Sequence, residues 1–107
     1  MSDVRILDTV VLRGADVDAW TAAWRQDYLP GAVQRGLTLV ESWREHVDTD
    51  AIAVHTLWKL PGAKAFFGMR AAAGADPAVA AFWADTDALA VRRTRHVGLV
   101  DTPEVTA

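Results

Sequence analysis

The pattern of apolar and polar positions changes period along the chain, and each change marks an element. Val4 to Arg13 (VRILDTVVLR) is a run of β-branched and aliphatic residues stopped by Gly14, which predicts a strand. Asp16 then stands as an N-cap before Val17, Trp20, Trp24 and Tyr28, whose spacing is helical and whose inner stripe is almost wholly aromatic. Pro30-Gly31 kinks that helix, and Gly36 ends it. Leu37 to Val47 and Ala51 to Leu60 are strand-like runs joined by Asp48-Thr49-Asp50, a polar connection of hairpin length. Pro61-Gly62 closes the hairpin. A second helical region follows, broken at Gly74 and restarted by Asp76-Pro77 as N-cap and first helical residue. Ala90 to Val100 is the last strand, and 101–107 reads as a short tail.

The element order is β-α-β-β-α-β, the ferredoxin-like α+β arrangement with a four-stranded antiparallel sheet and helices on one face. A sheet covered on one side alternates apolar and polar residues. Here Ile6, Val10 and Leu12 oppose Leu7 and Val11, while Ile52, Val54 and Trp58 oppose Ala53 and Leu57. Both faces are apolar, and the helices cover only one. A second sheet is the simplest cover for the other, so the pattern predicts a homodimer packed sheet to sheet. A monomer with loose patterning is the alternative.

At 107 residues the chain fits a single domain with its ordered core over about 4–100, and the composition, 51% hydrophobic and 23% charged, is globular. The net charge of −3 argues against nucleic acid or an anionic membrane as partner. No apolar run approaches the roughly 20 residues that span a bilayer, and the first residues lack a signal-peptide pattern, so the expectation is a cytoplasmic protein. The absence of cysteine excludes disulfides, thiol catalysis and thiolate metal sites.

The segments Tyr28-Leu29-Pro30-Gly31-Ala32, Trp58-Lys59-Leu60-Pro61, Phe66-Phe67-Gly68-Met69-Arg70 and Phe82-Trp83 with Asp85 resemble those of the dimeric α+β barrel superfamily, most of all its NIPSNAP-type members. The superfamily also holds cofactor-free antibiotic-biosynthesis monooxygenases, polyketide cyclases, haem-degrading proteins and muconolactone isomerases. The resemblance spans nearly the whole chain and rests on element order and aromatic placement, with no catalytic motif matched residue by residue. It implies a ligand cavity inside each protomer, between sheet and helices.

Candidate chemistry rests on few groups. The five tryptophans, Trp20, Trp24, Trp43, Trp58 and Trp83, either fill a core or interface or wall a ligand cavity. His46, His55 and His96 lack metal-ligand spacing, so no metal is expected. If Asp48–Asp50 form the turn, opposed hairpin residues have numbers summing to 98. Trp43 then faces His55, Glu41 faces Leu57, and Glu45 faces Ala53, all on one side of the sheet. Glu41 and Glu45 become diagonal neighbours of His55, and a carboxylate that orients an imidazole is how a general base is built. The other reading is an interface histidine that does no chemistry. Tyr28 closes the aromatic stripe and puts a hydroxyl within reach of the cavity. The run Arg92, Arg93, Arg95 either pairs with aspartates across the interface or supplies a cation to an anionic substrate.

No phosphate loop, nucleophile elbow or dinucleotide fingerprint is present, and no cofactor is expected. The leading expectation is a cofactor-independent enzyme of secondary metabolism that cyclises or isomerises an apolar, aromatic or polyketide-like molecule. Its site would use His55, Glu41 and Tyr28 catalytically, and Trp20, Trp24, Trp43, Trp58, Phe67, Arg70 and Trp83 for binding. Alternatives are a cofactor-free monooxygenase acting on a phenol, a haem-degrading protein, and a non-catalytic ligand-binding or structural dimer. Everything turns on which way the His55–Trp43 face points. If it meets the partner, the reactive group must be sought among Arg44, Thr56 and Tyr28.

Overall fold

The computed structural model describes residues 2–101; the expected tail beyond Asp101 lies outside them. Strand β1 (Val4–Arg13) leads through a 3-10 turn (Gly14–Asp16) into α1 (Val17–Ala23), a π-helical turn (Trp24–Tyr28) and α2 (Leu29–Gln34). The hairpin β2 (Thr38–His46) and β3 (Ala51–Leu60) follows, then α3 (Ala63–Gly74), α4 (Pro77–Leu89) and β4 (Arg92–Leu99). The sheet is antiparallel with order β2-β3-β1-β4, the ferredoxin-like topology.

Local chemistry accounts for most boundaries. Gly36 leaves α2 at φ +101, a conformation that a side chain disfavours. The Asp76 carboxylate accepts from the Ala78 amide and Pro77 occupies the first turn of α4, as expected of Asp-Pro. Asp16 corrects the reading of α1. It sits in the 3-10 turn at φ −97, and its carboxylate makes no capping bond. The kink expected at Pro30-Gly31 is replaced by the π turn, which opens the helix just before the proline.

The register settles the direction of every side chain in the sheet. Even-numbered residues of β1 and β3 face the helices: Ile6 pairs with Trp58, Val10 with Val54, and Leu12 with Ile52. With Val4 and Leu60 they form the core floor, and Val17, Trp20, Trp24, Tyr28, Met69 and Phe82 close it from the helix layer. Odd-numbered residues form the outer face, where Leu7 and Leu57 stay half-buried beside Trp43, which is 40% exposed. The hairpin keeps the expected register from His46–Ile52 to Glu41–Leu57. A bulge then intervenes, and Trp58 faces Leu39 and not Val40.

Candidate functional site at the open edge of β4

The aromatic stripe of the first helix gathers where the sheet meets the helices. An α-helix drifts by about 40° every four residues, so Trp20, Trp24 and Tyr28 would spread around a regular one. The wider π turn between Trp24 and Tyr28 takes part of that drift back, and all three stay inward. Trp24 lies 5.9 Å from Trp58 and Tyr28 lies 6.2 Å from it, ring centre to ring centre. Phe82 and Trp83 of α4 approach the Tyr28 ring to 5.0 and 5.1 Å. These rings pack on one another, and Trp58 is fully buried. Trp24 and Trp58 are therefore the packed base of the region and not the walls of an open chamber.

A charged network crosses this aromatic layer. Asp8 sits mid-strand on the core side of β1 and is buried. Its carboxylate accepts from Trp58 Nε1 at 3.1 Å, and from Arg95 Nε and Nη2 at 2.6 and 2.7 Å. The same Nη2 donates to the Tyr28 hydroxyl at 3.1 Å. Burial works against the charge on Arg95, but the hydrogen bonds and charge of Asp8, with Tyr28 adding to them, hold the guanidinium above its ordinary pKa. Tyr28 thus has its oxygen fixed by a permanent cation, and its own O–H proton has no acceptor among the described residues. Arg95 keeps its Nη1 edge unused among them as well.

Neighbouring groups extend the cationic side. Arg93 stacks over the Trp83 ring at 4.7 Å and grips Asp87 with Nε and Nη2. Arg35 packs over the Tyr28 ring, its Cζ 5.6 Å from the ring centre. Its side chain is 9% exposed, its nearest carboxylate, on Asp76, is 3.7 Å away, and its Nε is buried without a partner. Arg93 and Arg95 of β4 thus find their aspartates within the chain, on α4 and β1.

The Arg93 bond holds the Asp87 carboxyl below its ordinary pKa. A carboxyl whose pKa is lower folded than unfolded stabilises the fold above the unfolded value, about pH 4, and loses that contribution as pH falls through the folded value. The stability gap between the wild type and Asp87→Asn should accordingly be positive at neutral pH, close on acidification, and shrink in high salt. Thermal melts across pH would show it, and a gap unchanged by acid would remove the pair as its source.

The remaining expected residues fall elsewhere. His55 lies on the outer face, away from Tyr28, with Trp43 stacked on it at 5.1 Å. Its Nε2 is 2.7 Å from Glu45 Oε1 and its Nδ1 2.8 Å from Thr9 Oγ1. A carboxylate only accepts, so Nε2 carries the proton and, in the neutral ring, Nδ1 accepts from the threonine. The carboxylate paired with His55 is thus Glu45 and not Glu41. Phe67 is 64% exposed on α3, and Arg70, also exposed, lies over Phe66 at 5.9 Å. Neither joins the Tyr28 cluster.

Trp20 serves a different opening. A groove of about 600 Å³ runs between α1 and α4, with buried Trp20, Phe82 and Thr86 as its floor. The Trp20 indole donates to Thr86 Oγ1 at 3.0 Å. Alanines wall the groove, and exposed Gln26, Asp27 and Asp85 stand at its rim. It is roomy, but no polar group in it is fixed by a charged side chain as the Tyr28 hydroxyl is by Arg95. The β4 edge is therefore the stronger candidate site. Asp8, Thr9, Arg35 and Thr86 were absent from the expected set. For Asp8 a signal existed, because its parity in Ile6-Asp8-Val10 places a carboxylate among core residues. Among the described residues no group of three or more His, Asp or Glu could hold a metal, and no helix is long and apolar enough to cross a membrane.

No protein-family model matches the chain, and neither does any curated protein. Solved structures do. A NIPSNAP domain protein of Burkholderia xenovorans superposes with TM-score 0.72 at 14% identity, over 94% of this chain and 99% of its own. A dimeric ferredoxin-like protein from an uncultured marine organism gives 0.73 at 15% identity, over 97% and 100%. A Bacteroides thetaiotaomicron protein of unknown function, described as a possible oxidoreductase, gives 0.62 at 11% identity, over 92% and 98%. The fold is that of NIPSNAP and dimeric ferredoxin-like proteins.

Proposed function

We propose that this protein is a cofactor-independent enzyme that isomerises or cyclises an aromatic or polyketide-like molecule through its enolate, with Tyr28 and Arg95 as the groups that meet the developing charge. The observation that carries the proposal is the Asp8–Arg95–Tyr28 chain. A phenol that accepts from a buried-paired guanidinium and keeps its own proton to give is an oxyanion donor set in place before the substrate arrives. Arg95 cannot surrender its charge, so it orients and polarises without entering proton transfer. The carbon-bound proton of an acidic 1,3-dicarbonyl leaves to water at the open edge, while Tyr28 donates to the carbonyl oxygen. Trp83, braced by the guanidiniums of Arg93 and Arg95, offers a ring face to an aromatic substrate.

In this proposal His55, Glu41 and Trp43 leave the reaction. A second copy docks on the outer face and covers His55, Trp43, Leu7 and Leu57; the apolar character of that face and the dimeric ferredoxin-like relatives support this. A cofactor-free monooxygenase is the second reading, in which the stabilised carbanion itself meets oxygen. The possible-oxidoreductase description of the Bacteroides relative favours it.

The test is proton exchange. Aromatic 1,3-dicarbonyl compounds incubated with the protein in deuterium oxide should lose their α-proton NMR signal faster than in buffer. Tyr28→Phe should cut that acceleration by about 10²–10³, with far-UV dichroism unchanged. Equal exchange in the variant would remove Tyr28 from the reaction. Exchange in neither protein would favour the non-catalytic binding role, and oxygen uptake during exchange would select the monooxygenase.

A further inference from the structure

The helix-facing side of β4 does not end at Arg95. Strand parity carries it on to Val97 and Leu99, which pair with Ile6 and Val4 and point to the same side of the sheet. Ile6 and Val4 are buried at 0% and 2%, yet Val97 and Leu99 are 49% and 67% exposed. The helices that seal β1 leave this half of β4 uncovered. Along a single line of alternate residues the edge therefore runs from guanidinium, at Arg93 and Arg95, to bare aliphatic, at Val97 and Leu99. Both guanidiniums spend their Nε and Nη2 edges on aspartates and leave Nη1 without a partner among the described residues.

We infer that the β4 edge binds a single-chain amphipathic acid, its carboxylate or enolate on the Arg93 and Arg95 Nη1 edges and its aliphatic tail along Val97 and Leu99. This rests on the site proposed above and names the class of substrate it takes. Charge complementarity sets the head at the arginine end, where Tyr28 donates, and the exposed aliphatic pair sets the tail. From residue 95 to residue 99 the strand advances about 13 Å, the reach of a medium-length acyl chain. Head and tail are thus recognised by one strand, and the reacting carbonyls next to the head come to Tyr28.

Calorimetric titration with straight-chain carboxylates from butanoate to decanoate tests the inference without requiring turnover. Each added methylene should tighten binding by up to about fourfold, and decanol should bind clearly more weakly than decanoate. Leu99→Gln, an exposed position at which the fold has little to lose, should flatten the gain over the longest acids and leave butanoate unchanged. A flat series, or decanol equal to decanoate, would overturn the inference. So would a Leu99→Gln protein that keeps the full series but changes its mass in light scattering, because the edge would then be covered by a second copy. Should decanoate follow the series while Tyr28→Phe leaves proton exchange untouched, the binding site stands and the catalytic reading falls; the opposite pair of results removes the binding site alone.

Discussion

Asp8→Ala should lower the stability of the fold by about 3 kcal/mol, near the bottom of the range for breaking one side of a buried ion pair. The cost comes from what remains. Arg95 keeps its charge without the carboxylate that neutralised it, Trp58 loses the acceptor for its buried N–H, and Tyr28 loses the fixed geometry of its partner. The low end applies because the Arg95 side chain is 32% exposed and water recovers part of the loss. A domain of this size has about 5–15 kcal/mol in total, so urea unfolding should show a clearly lower midpoint with an unchanged slope. Replacing both members, as in Asp8→Leu with Arg95→Met, should restore most of the stability while abolishing exchange activity. A cost below about 1 kcal/mol for Asp8→Ala would mean that water already satisfies the arginine and that the network does not anchor the core.

Trp58→Ala should be the most damaging single change, costing about 3–5 kcal/mol. The side chain is fully buried at the centre of the sheet, touches Trp24 and Tyr28, and holds Asp8 from the side opposite Arg95. Truncation leaves a cavity that Trp24 and Tyr28 cannot fill without leaving their helix. Trp58→Phe separates the two contributions, since it keeps most of the volume and removes only the N–H. A double-mutant cycle of Trp58→Phe with Asp8→Ala should show coupling of about 0.5–3 kcal/mol. Additive effects would show that indole and carboxylate act independently.

Much of this architecture is legible in residues whose signal is local. Turn residues and runs of β-branched and aliphatic residues in β1, β2 and β3 define strands to within a residue, and the sum of 98 places His55 against Trp43 because the hairpin is short. It fails beyond Glu41, where a bulge adds a residue that no composition marks. The choice between Glu41 and Glu45 as partner of His55 is a matter of strand twist and rotamer, which alternation does not encode. The Asp8–Arg95 pair spans almost the whole chain, and only the odd fact of a carboxylate with core parity hints at it. Nor does sequence alone say which face the helices cover, and that fact separates Tyr28 from His55.

Asp8 and Thr9 are consecutive residues of β1, and they belong to different networks on opposite faces of the sheet. Sliding β1 by one residue against its neighbours would turn Asp8 outward, away from Arg95 and Trp58. The same slip would turn Thr9 inward, away from His55, and leave Arg95 facing a neutral hydroxyl in place of the carboxylate that pairs it. An apolar strand such as Val4–Arg13, oily on both sides, has little in its hydrophobicity to forbid that error. One peptide unit with a carboxylate on one side and a hydroxyl on the other makes the misaligned sheet pay on both faces at once, and so proofreads the central strand as the domain folds.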